Sequence, residues 1–469
     1  MTRVKTLLSV ASLAPLAACM NLAPEYTPVD PPIPADLPTY GDPASEAVLL
    51  DWQTLITSPE LATLIRQALD QNRDLQATAA NVRAARASLM VSRSGLFPTF
   101  DASGSLTGAD TFDNDPAGAS LFSELGRVQA GVTAWELDFF GKTQNQTEAA
   151  RQTYLSTQDG LHAAQIALIA TIGETWLSLA ANQELIALAT ETVDSQSESL
   201  SLTQELFDAG AANELDVRRA SASVAQARAQ AAQYEAALLQ DRNLLRLLVG
   251  SDIPEELLAK ARLSPTPVAA DIPLGRSSQI LLSRPDVMAA ERQLLAANAN
   301  IGAARAAFYP SITLTGSAGY ASADLTDFLS GDGITGWSAG PAISVPIFDF
   351  GSRQGNLDAA RAQADAALAQ YEYAIQSAFR ETADVLAVAE TIDDRLDALS
   401  QLAQDTDITF NLSAERFRSG LDDYLTVLDA QRENYSARQQ LIDARLDQAL
   451  NRIALYRVLG TWPGAAPTP

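Results

Sequence analysis

The two halves of the chain repeat one sequence pattern, and this repetition constrains the fold more than any other feature. WELDFFGKTQNQTEAAR at 135–151 resembles VPIFDFGSRQGNLDAAR at 345–361, and their glycines, Gly141 and Gly351, are 210 residues apart. Further matched segments follow in the same order: 85–105 with 304–317, 205–222 with 415–432, and 244–250 with 454–460. Matched segments in a constant order predict a tandem duplication, in which both halves fold on the same plan.

Each half contains a pair of segments that alternate apolar and polar residues with a period of two. They are FDASGSLTG (100–108) and RVQAGVTAWEL (127–137), then SITLTGSAGYA (311–321) and WSAGPAISVPIF (337–348). Gly- and Asp-rich stretches, DPAGAS and LSGDGITG, join each pair, so each pair predicts a β-hairpin. Their length suits tilted membrane strands, although hairpins of an ordinary β-sandwich remain an alternative. The predicted apolar face contains Phe100, Ala102, Leu106, Ile312, Leu314, Ala318 and Tyr320.

Long helices follow each hairpin. The intervals from Gly141 to Gly210 and from Gly351 to Gly420 contain no proline, so each predicts a helix about 100 Å long. Apolar residues recur every seven positions and predict a left-handed coiled coil: Ile172, Leu179, Ile186, Val193, Leu200 and Phe207, with Leu396, Phe410 and Phe417 in the second half.

The glycines at the ends of these intervals mark sharp turns. Gly210 and Gly420 suit the left-handed conformation that ends a helix, which predicts that they form the tips of two helical hairpins. We expect Asn213, and either Asp422 or Asp423, to cap the returning helices.

Charge and composition exclude several classes of function. A net charge of −25 argues against binding to nucleic acid. The same charge is compatible with a passage through the protein that favours cations over anions. One cysteine and one histidine leave no zinc cluster or Cys/His dyad, and the chain lacks phosphate-binding and nucleophile motifs. The sequence therefore predicts no enzyme, no cofactor and no metal site.

The N-terminus is typical of an exported lipoprotein. Residues 1–18 combine a basic start with a short apolar run, which predicts a signal peptide. Leu16-Ala17-Ala18-Cys19 resembles a bacterial lipobox, so Cys19 is the predicted lipidation site, and Met20 after it favours sorting to the outer membrane. The alternative is an ordinary signal peptide with a chance cysteine. Seven prolines within 23–43 predict an extended segment.

Four predicted strands are too few for a membrane barrel, since bacterial barrels start at eight strands and an open edge cannot face lipid. A chain with these strands in a membrane must therefore form an oligomer. Two copies or three would both provide enough strands, and a pore requires at least three copies. Periodicity alone leaves the number open.

Four segments resemble a known family: the lipobox followed by Ala23-Pro24-Glu25-Tyr26, and the runs at 284–320, 340–353 and 415–432. They resemble the outer-membrane factors of tripartite efflux systems, the TolC-like channels, and within these the OprM/NodT-type lipoproteins. The resemblance implies an α+β membrane protein that forms a homotrimer. A 12-stranded outer-membrane β-barrel would continue into a long periplasmic α-helical barrel. It also implies a periplasmic adaptor protein and an inner-membrane RND pump as partners.

The resemblance also implies roles for the hairpin tips, which in this family close the periplasmic mouth. Arg416, Phe417 and Asp429 fall at gating positions, where Phe417 replaces the usual tyrosine and cannot donate a hydroxyl hydrogen bond. Adaptor contacts are expected at the tip positions Gly210, Leu215, Gly420 and Leu425. The alternative for all of these is ordinary turn chemistry, core packing and an exposed ion pair.

Two other functions remain open at this stage. The same architecture could serve type I protein secretion, or the chain could be a structural envelope lipoprotein without a pore. The predicted division is a signal peptide 1–18, a lipid-anchored extended segment 19–55, a periplasmic helix 56–97, a first transmembrane hairpin 98–140, a first helical hairpin 141–250, a linker and equatorial helix 251–309, a second transmembrane hairpin 310–350, a second helical hairpin 351–460 and a tail 461–469.

Overall fold

The computed structural model describes residues 21–28, 30–38, 51–109, 123–269, 277–322 and 325–460. The predicted signal peptide, Cys19, the DPAGAS stretch of the first hairpin and the tail lie outside the described residues.

Within the described residues the chain alternates strands with helices in the duplicated order that the sequence predicts. The α-helices are α1 (Trp52–Leu55), α2 (Pro59–Gln71), α3 (Arg73–Ser94), α4 (Lys142–Asp208), α5 (Glu214–Val249), α6 (Glu255–Leu258), α7 (Pro285–Ala306), α8 (Leu325–Ser330), α9 (Ser352–Arg418) and α10 (Tyr424–Leu459). The strands are β1 (Phe100–Ala109), β2 (Ser123–Leu137), β3 (Ser311–Ser322) and β4 (Ile334–Ser344). The two long proline-free helices, α4 and α9, each have 67 residues, which confirms the predicted long helices.

The chain divides into two compact units. The first consists of 1–30, 81–158 and 289–371, and the second of 31–80, 159–288 and 372–469. The first unit contains the sheet, and the second contains both helical hairpin tips.

The four described strands form one antiparallel sheet in the order β1-β2-β3-β4. Its register aligns Ala102 with Ala130, Ala130 with Ala318, and Ala318 with Trp337, so these four side chains share one face. The register carries the predicted apolar residues of both hairpins onto this face, and it confirms the two hairpins. The opposite face is polar and includes the hydrogen bond between the Ser317 and Ser338 hydroxyls at 3.1 Å.

The described sheet contains a β-bulge, and its last strand ends earlier than the sequence predicts. A β-bulge interrupts the β2–β3 ladder between Val132 and Trp135, where Ala134 adopts a left-handed backbone with φ of 51°. β4 ends at Ser344, earlier than the predicted end at Phe348, because Ser344 aligns with Ser311, the first residue of its partner strand β3.

The interval 56–97, predicted as one helix, contains two. Asn72 separates α2 from α3, with an extended backbone at φ −62° and ψ 125°. Its side chain accepts a hydrogen bond from the backbone N of Leu75 at 2.8 Å and donates one to the carbonyl of Leu248 at 2.7 Å. Asn72 therefore caps the second helix and fixes it to the end of α5.

The apolar core of the second unit surrounds the middle of α4. Ile172, Trp176 and Leu179 are fully buried there, as are Ile453 and Tyr456 of α10. A Cβ added to Gly173 would lie 2.9 Å from the end of the Ile453 side chain, so glycine permits α4 and α10 to approach closely at this level. Burying these large side chains stabilises the hairpins by roughly 1.5–3 kcal/mol each.

Candidate functional site: the two hairpin tips

The chain makes the same turn at both helical tips. Gly210 and Gly420 have φ of 76° and 71°, and each donates its N–H to the carbonyl three residues earlier at 2.9 Å. The next residues, Ala211 and Leu421, donate to the carbonyls five residues earlier, at 2.7 and 2.9 Å. These bonds satisfy the last carbonyls of α4 and α9, so the structure confirms both glycine turns.

The returning helices begin with matched caps. Asn213 accepts a hydrogen bond from the backbone N of Asp216 at 3.0 Å, and Asp423 accepts one from the backbone N of Thr426 at 3.0 Å. The structure thus confirms Asn213 and selects Asp423 over Asp422 as the second cap. The free Asp422 carboxylate can take a different role.

Asp422 pairs with Arg416 across the second tip. The Arg416 guanidinium donates two hydrogen bonds to the Asp422 carboxylate, from Nε at 2.7 Å and Nη2 at 2.8 Å. This pair holds the pKa of Asp422 below its usual value, chiefly through the hydrogen bond from Arg416. The first tip has Leu206 and Ala212 at the corresponding positions, so only the second turn is closed by an ion pair.

Asp429, the other charged residue at a predicted gating position, does not contact Arg416 within the described single chain. Asp429 is exposed there, and its nearest cation is Arg432, one turn further along α10 at 4.0 Å. The turn folds Asp422 back onto Arg416, whereas Asp429 lies in the second turn of α10. The gating role of Arg416 and Asp429 stays a prediction.

Phe417 lies in a small apolar cluster at the base of the tip. Its ring is 5.8 Å from that of Tyr424, and the cluster also includes Ala220, Leu428 and Leu200. These residues come from α4, α5, α9 and α10, so the cluster joins the two hairpins just above their turns. Phe417 supplies packing here, which needs a ring and no hydroxyl.

A cavity of about 470 Å³ lies between the two tips. Leu202 and Leu206 line it from the first hairpin, and Phe417 and Asp422 from the second. The Tyr424 hydroxyl, on a side chain that is 6% exposed, has no hydrogen-bond partner within the described part of the chain. Burial raises the pKa of this hydroxyl, so it remains a protonated donor at neutral pH.

Two leucines extend outward from equivalent positions at the tips. Leu215 and Leu425 are the second residues of α5 and α10, and their side chains are 57% and 41% exposed. Exposed leucines beside a sharp turn are available for contact with another protein. Gly210 and Gly420 have open space around the position of an added Cβ, so their left-handed backbone is what requires glycine there.

Above the tip cluster, polar side chains join the two hairpins. Arg438 of α10 donates to both carboxylate oxygens of Glu191 of α4, at 3.0 and 2.8 Å. Nearer the tips, the Gln431 amide donates to the Ser195 hydroxyl at 3.1 Å. We call these two contacts the polar rungs. Sequence reasoning missed them, and the signal that could have found them is the seven-residue spacing of Gln431 and Arg438.

The heptad positions of α4 lose burial toward the tip. Ile172 and Leu179 are fully buried, whereas Phe207 is 39% exposed. The buried side chains at the tip end include polar ones such as Gln196, Thr203 and Asn434. The contacts between the hairpins therefore become mixed toward the tip, where buried polar side chains lie beside the small apolar cluster around Phe417.

Comparison with known proteins connects this architecture with a function. A sequence profile described as "Outer membrane efflux protein" matches residues 64–251 and 277–461, one segment in each half of the duplication. The chain belongs to the outer membrane efflux protein family. A relative from Pseudomonas putida, the "Solvent efflux pump outer membrane protein SrpC", is 42% identical over 97% of both chains.

Solved structures of related proteins share the fold of this outer membrane efflux protein. A membrane protein from Pseudomonas aeruginosa superposes with a TM-score of 0.87 at 35% identity, covering 94% of this chain and 97% of that one. The open state of the Neisseria gonorrhoeae MtrE outer membrane channel gives 0.85 at 34% identity, covering 94% and 98%. The predicted fold class of an outer-membrane efflux channel is thereby confirmed.

Proposed function

We propose that three copies of this chain form the exit duct of a tripartite efflux pump, through which small toxic molecules leave the cell. The observation that carries this proposal is the four-stranded sheet with one apolar face, one polar face and two edge strands. Edge strands in lipid leave backbone groups unsatisfied. Three copies joined β1 to β4 would close a barrel of twelve strands, with the apolar faces toward lipid and the polar faces around a water-filled lumen.

The hairpin tips supply the contact with the rest of the pump. A periplasmic adaptor would dock on the tips through Gly210 and Leu215 of the first hairpin and Gly420 and Leu425 of the second. The exposure of both leucines at equivalent positions supports this proposal. The adaptor would connect the duct with an inner-membrane RND transporter, which supplies the energy, so the duct itself needs no catalytic residue.

The tips also form the gate. Closure would depend on Arg416, Phe417 and Asp429, together with Asp422, which the fold places on Arg416 at 2.7 Å. The Asp429 side chain is 58% exposed in the single chain and would be available to a neighbouring chain of the trimer. Opening would spread the two hairpins of each chain near the tips, where the two polar rungs join α4 to α10.

The N-terminus would be attached to the outer membrane by lipid on Cys19. The lipobox-like sequence Leu16-Ala17-Ala18-Cys19, in which the chain's single cysteine occupies the required position, supports this part of the proposal. A chain with more than one acyl group is stably anchored.

Planar-bilayer recording on the purified protein tests the duct. Discrete conductance steps from a species whose native mass equals three chains support it, whereas a monomer without conductance would support a structural lipoprotein. Type I protein secretion would use a different inner-membrane partner, an ABC-type pump. That alternative predicts that the chain and this pump together export a polypeptide and leave drug accumulation unchanged.

A further inference from the structure

Residues 21–26, here called the strap, lie along α7 without regular secondary structure and bend at Ala23. Three side chains of α7 hold the strap. Arg305 donates to the carbonyl of Leu22 at 3.0 Å, and Asn298 donates to the carbonyl of Pro24 at 2.9 Å. The Tyr26 hydroxyl donates to the Glu291 carboxylate at 3.2 Å. The strap therefore runs antiparallel to α7.

The three α7 residues form a ladder. Glu291, Asn298 and Arg305 are spaced by seven, which places them on one stripe of the helix over four turns. Two of the three ladder contacts go to main-chain carbonyls of the strap, so the ladder recognises the backbone of the strap. Pro24 favours that backbone in advance, because proline restricts the residue before it to extended conformations.

Gly302 makes room for the strap between two steps of the ladder. A Cβ at this position would lie 2.7 Å from the backbone N of Ala23 and 2.6 Å from the Asn145 amide nitrogen. Glycine inside a helix is intrinsically unfavourable, so its presence here indicates that close approach of the strap matters. Gly355 of α9, by contrast, has open space around the position of an added Cβ.

The upstream end of the strap is fixed to the start of α4. The Asn21 side-chain oxygen accepts hydrogen bonds from the Asn145 side chain at 2.9 Å and from the backbone N of Ala23 at 3.0 Å. Asn145 is itself buried and lies in the first turn of α4, shortly after β2 ends at Leu137. Asn21 is therefore held beside the junction between strand and helix.

We propose that the ladder on α7 and Gly302 are positioning residues that dock the strap and so fix where the lipid on Cys19 enters the bilayer. Cys19 precedes Asn21 by two residues in the sequence, so docking of Asn21 beside Asn145 would limit how far lipid attached to Cys19 can reach. That lipid would enter the membrane near the junction between β2 and α4. The strap thereby sets the depth and place of anchoring, which a loose tether could not do. This inference rests on the proposed lipidation of Cys19.

Burial and the neighbouring Glu291 raise the pKa of Tyr26, so this hydroxyl stays protonated and keeps donating to the carboxylate across the physiological pH range. The Tyr26 contact at the downstream end of the strap is accordingly insensitive to pH near neutrality.

The test combines disruption of the strap with removal of the lipid site. Gly302→Ala, and separately an eight-residue Gly-Ser insertion after Met20, are introduced into the full chain with Cys19 present and with Cys19→Ser. The insertion leaves every ladder contact intact and only uncouples the lipid from the strap, so it cannot act by misfolding the body. Gly355→Ala is the matched control. The readout is the amount of heat-stable trimer in isolated outer membranes, with intact-mass measurement of acylation.

With Cys19 present, both disruptions should lower the trimer yield several-fold to the level of Cys19→Ser, and their combination should lower it no further. In the Cys19→Ser background neither should have an additional effect, and Gly355→Ala should be neutral in both. Equal losses in both backgrounds would show that Gly302 acts only through packing, and unchanged yield in both would show that anchoring position is irrelevant; either result overturns the proposal. An unacylated wild-type chain in the mass measurement would refute the lipid anchor itself, and it would do so without bearing on the duct, which the conductance recording tests separately.

Discussion

The ion pair between Glu191 and Arg438 gives the sharpest test of the proposed gate at the hairpin tips. It joins α4 to α10 near the tips through two hydrogen bonds at 2.8 and 3.0 Å. Glu191→Arg and Arg438→Glu each place two like charges at this contact, and the double exchange restores an opposite-charge pair. The single variants should open the mouth more often, and the double variant should approach the wild type.

The size of the effect follows from the exposure of the pair. The Glu191 and Arg438 side chains are 62% and 37% exposed, so solvent screens the interaction and limits it to about 1 kcal/mol per chain. If three chains open together, the sum is about 3 kcal/mol, or roughly a hundredfold change in the ratio of open to closed channels. Repulsion between like charges in the single variants acts in the same direction, so a change of roughly a hundredfold is the expected order of magnitude.

Open probability in planar bilayers measures the effect directly. Glu174 and Arg457 provide the control, because they join the same two helices at 3.3 Å but at the level of the apolar core. Exchanging their charges should leave gating unchanged. An unaffected open probability in the Glu191 and Arg438 variants, failure of the double exchange to restore closure, or an equal effect of the control pair would refute the reasoning.

Four further predictions concern pH and stability. The hydrogen bond from Arg438 lowers the pKa of Glu191. The stabilisation that this pair contributes is therefore complete at neutral pH and disappears as the pH falls through the lowered folded-state pKa. Open probability recorded against pH should rise only below the ordinary carboxyl range, and Glu191→Gln should abolish this rise. Burial raises the pKa of Asp241 despite hydrogen bonds from Asn182 and Ser178, so the folded chain binds this proton more tightly than the unfolded chain. The folded state therefore loses stability as the pH rises from the ordinary pKa of an aspartate through the raised pKa of Asp241. Asp241→Asn should raise the melting temperature at neutral pH, and an unchanged melting temperature would count against a buried charge. Gly420→Ala should destabilise its tip by about 1 kcal/mol because the φ of Gly420 is 71°. Gly160→Ala, inside α4 and with open space around the added Cβ, should stabilise that helix by about 1 kcal/mol. Hydrogen exchange should therefore become faster at the tip in the first variant and slower in α4 in the second. Arg284→Ala should cost about 1.5–3 kcal/mol in denaturant unfolding, because it removes the hydrogen bonds from a buried guanidinium to the half-exposed carboxylates of Asp286 and Glu381 at 2.8 and 2.9 Å. Arg380→Ala, which removes an exposed pair, should cost under about 1 kcal/mol.

The tips show what residue type and spacing can predict. Glycine at 210 and 420 signals a left-handed turn, and asparagine or aspartate shortly afterwards signals a cap, because both effects are local. The structure confirms both. Likewise, the alternation that predicts the two β-hairpins also predicts which side chains share a face, since a strand has a period of two.

The partner of Arg416 shows what the sequence could not settle. Three aspartates, Asp422, Asp423 and Asp429, lie within reach of the tip, and all have the same chemistry. Only the turn geometry decides that Asp423 caps the helix and leaves Asp422 for Arg416. The break at Asn72 was missed for a related reason: asparagine is compatible with a helix, and its contact with the distant Leu248 carbonyl depends on tertiary packing.

Drug and dye accumulation in a Gram-negative strain without its own outer-membrane channel tests the central claim most directly. The strain also receives the genes for an adaptor and an RND pump, either with the gene for this chain or without it. Efflux should be restored with this chain and should vanish when this chain alone is removed. Unchanged accumulation, with the protein correctly lipidated and trimeric in the outer membrane, would contradict an efflux duct.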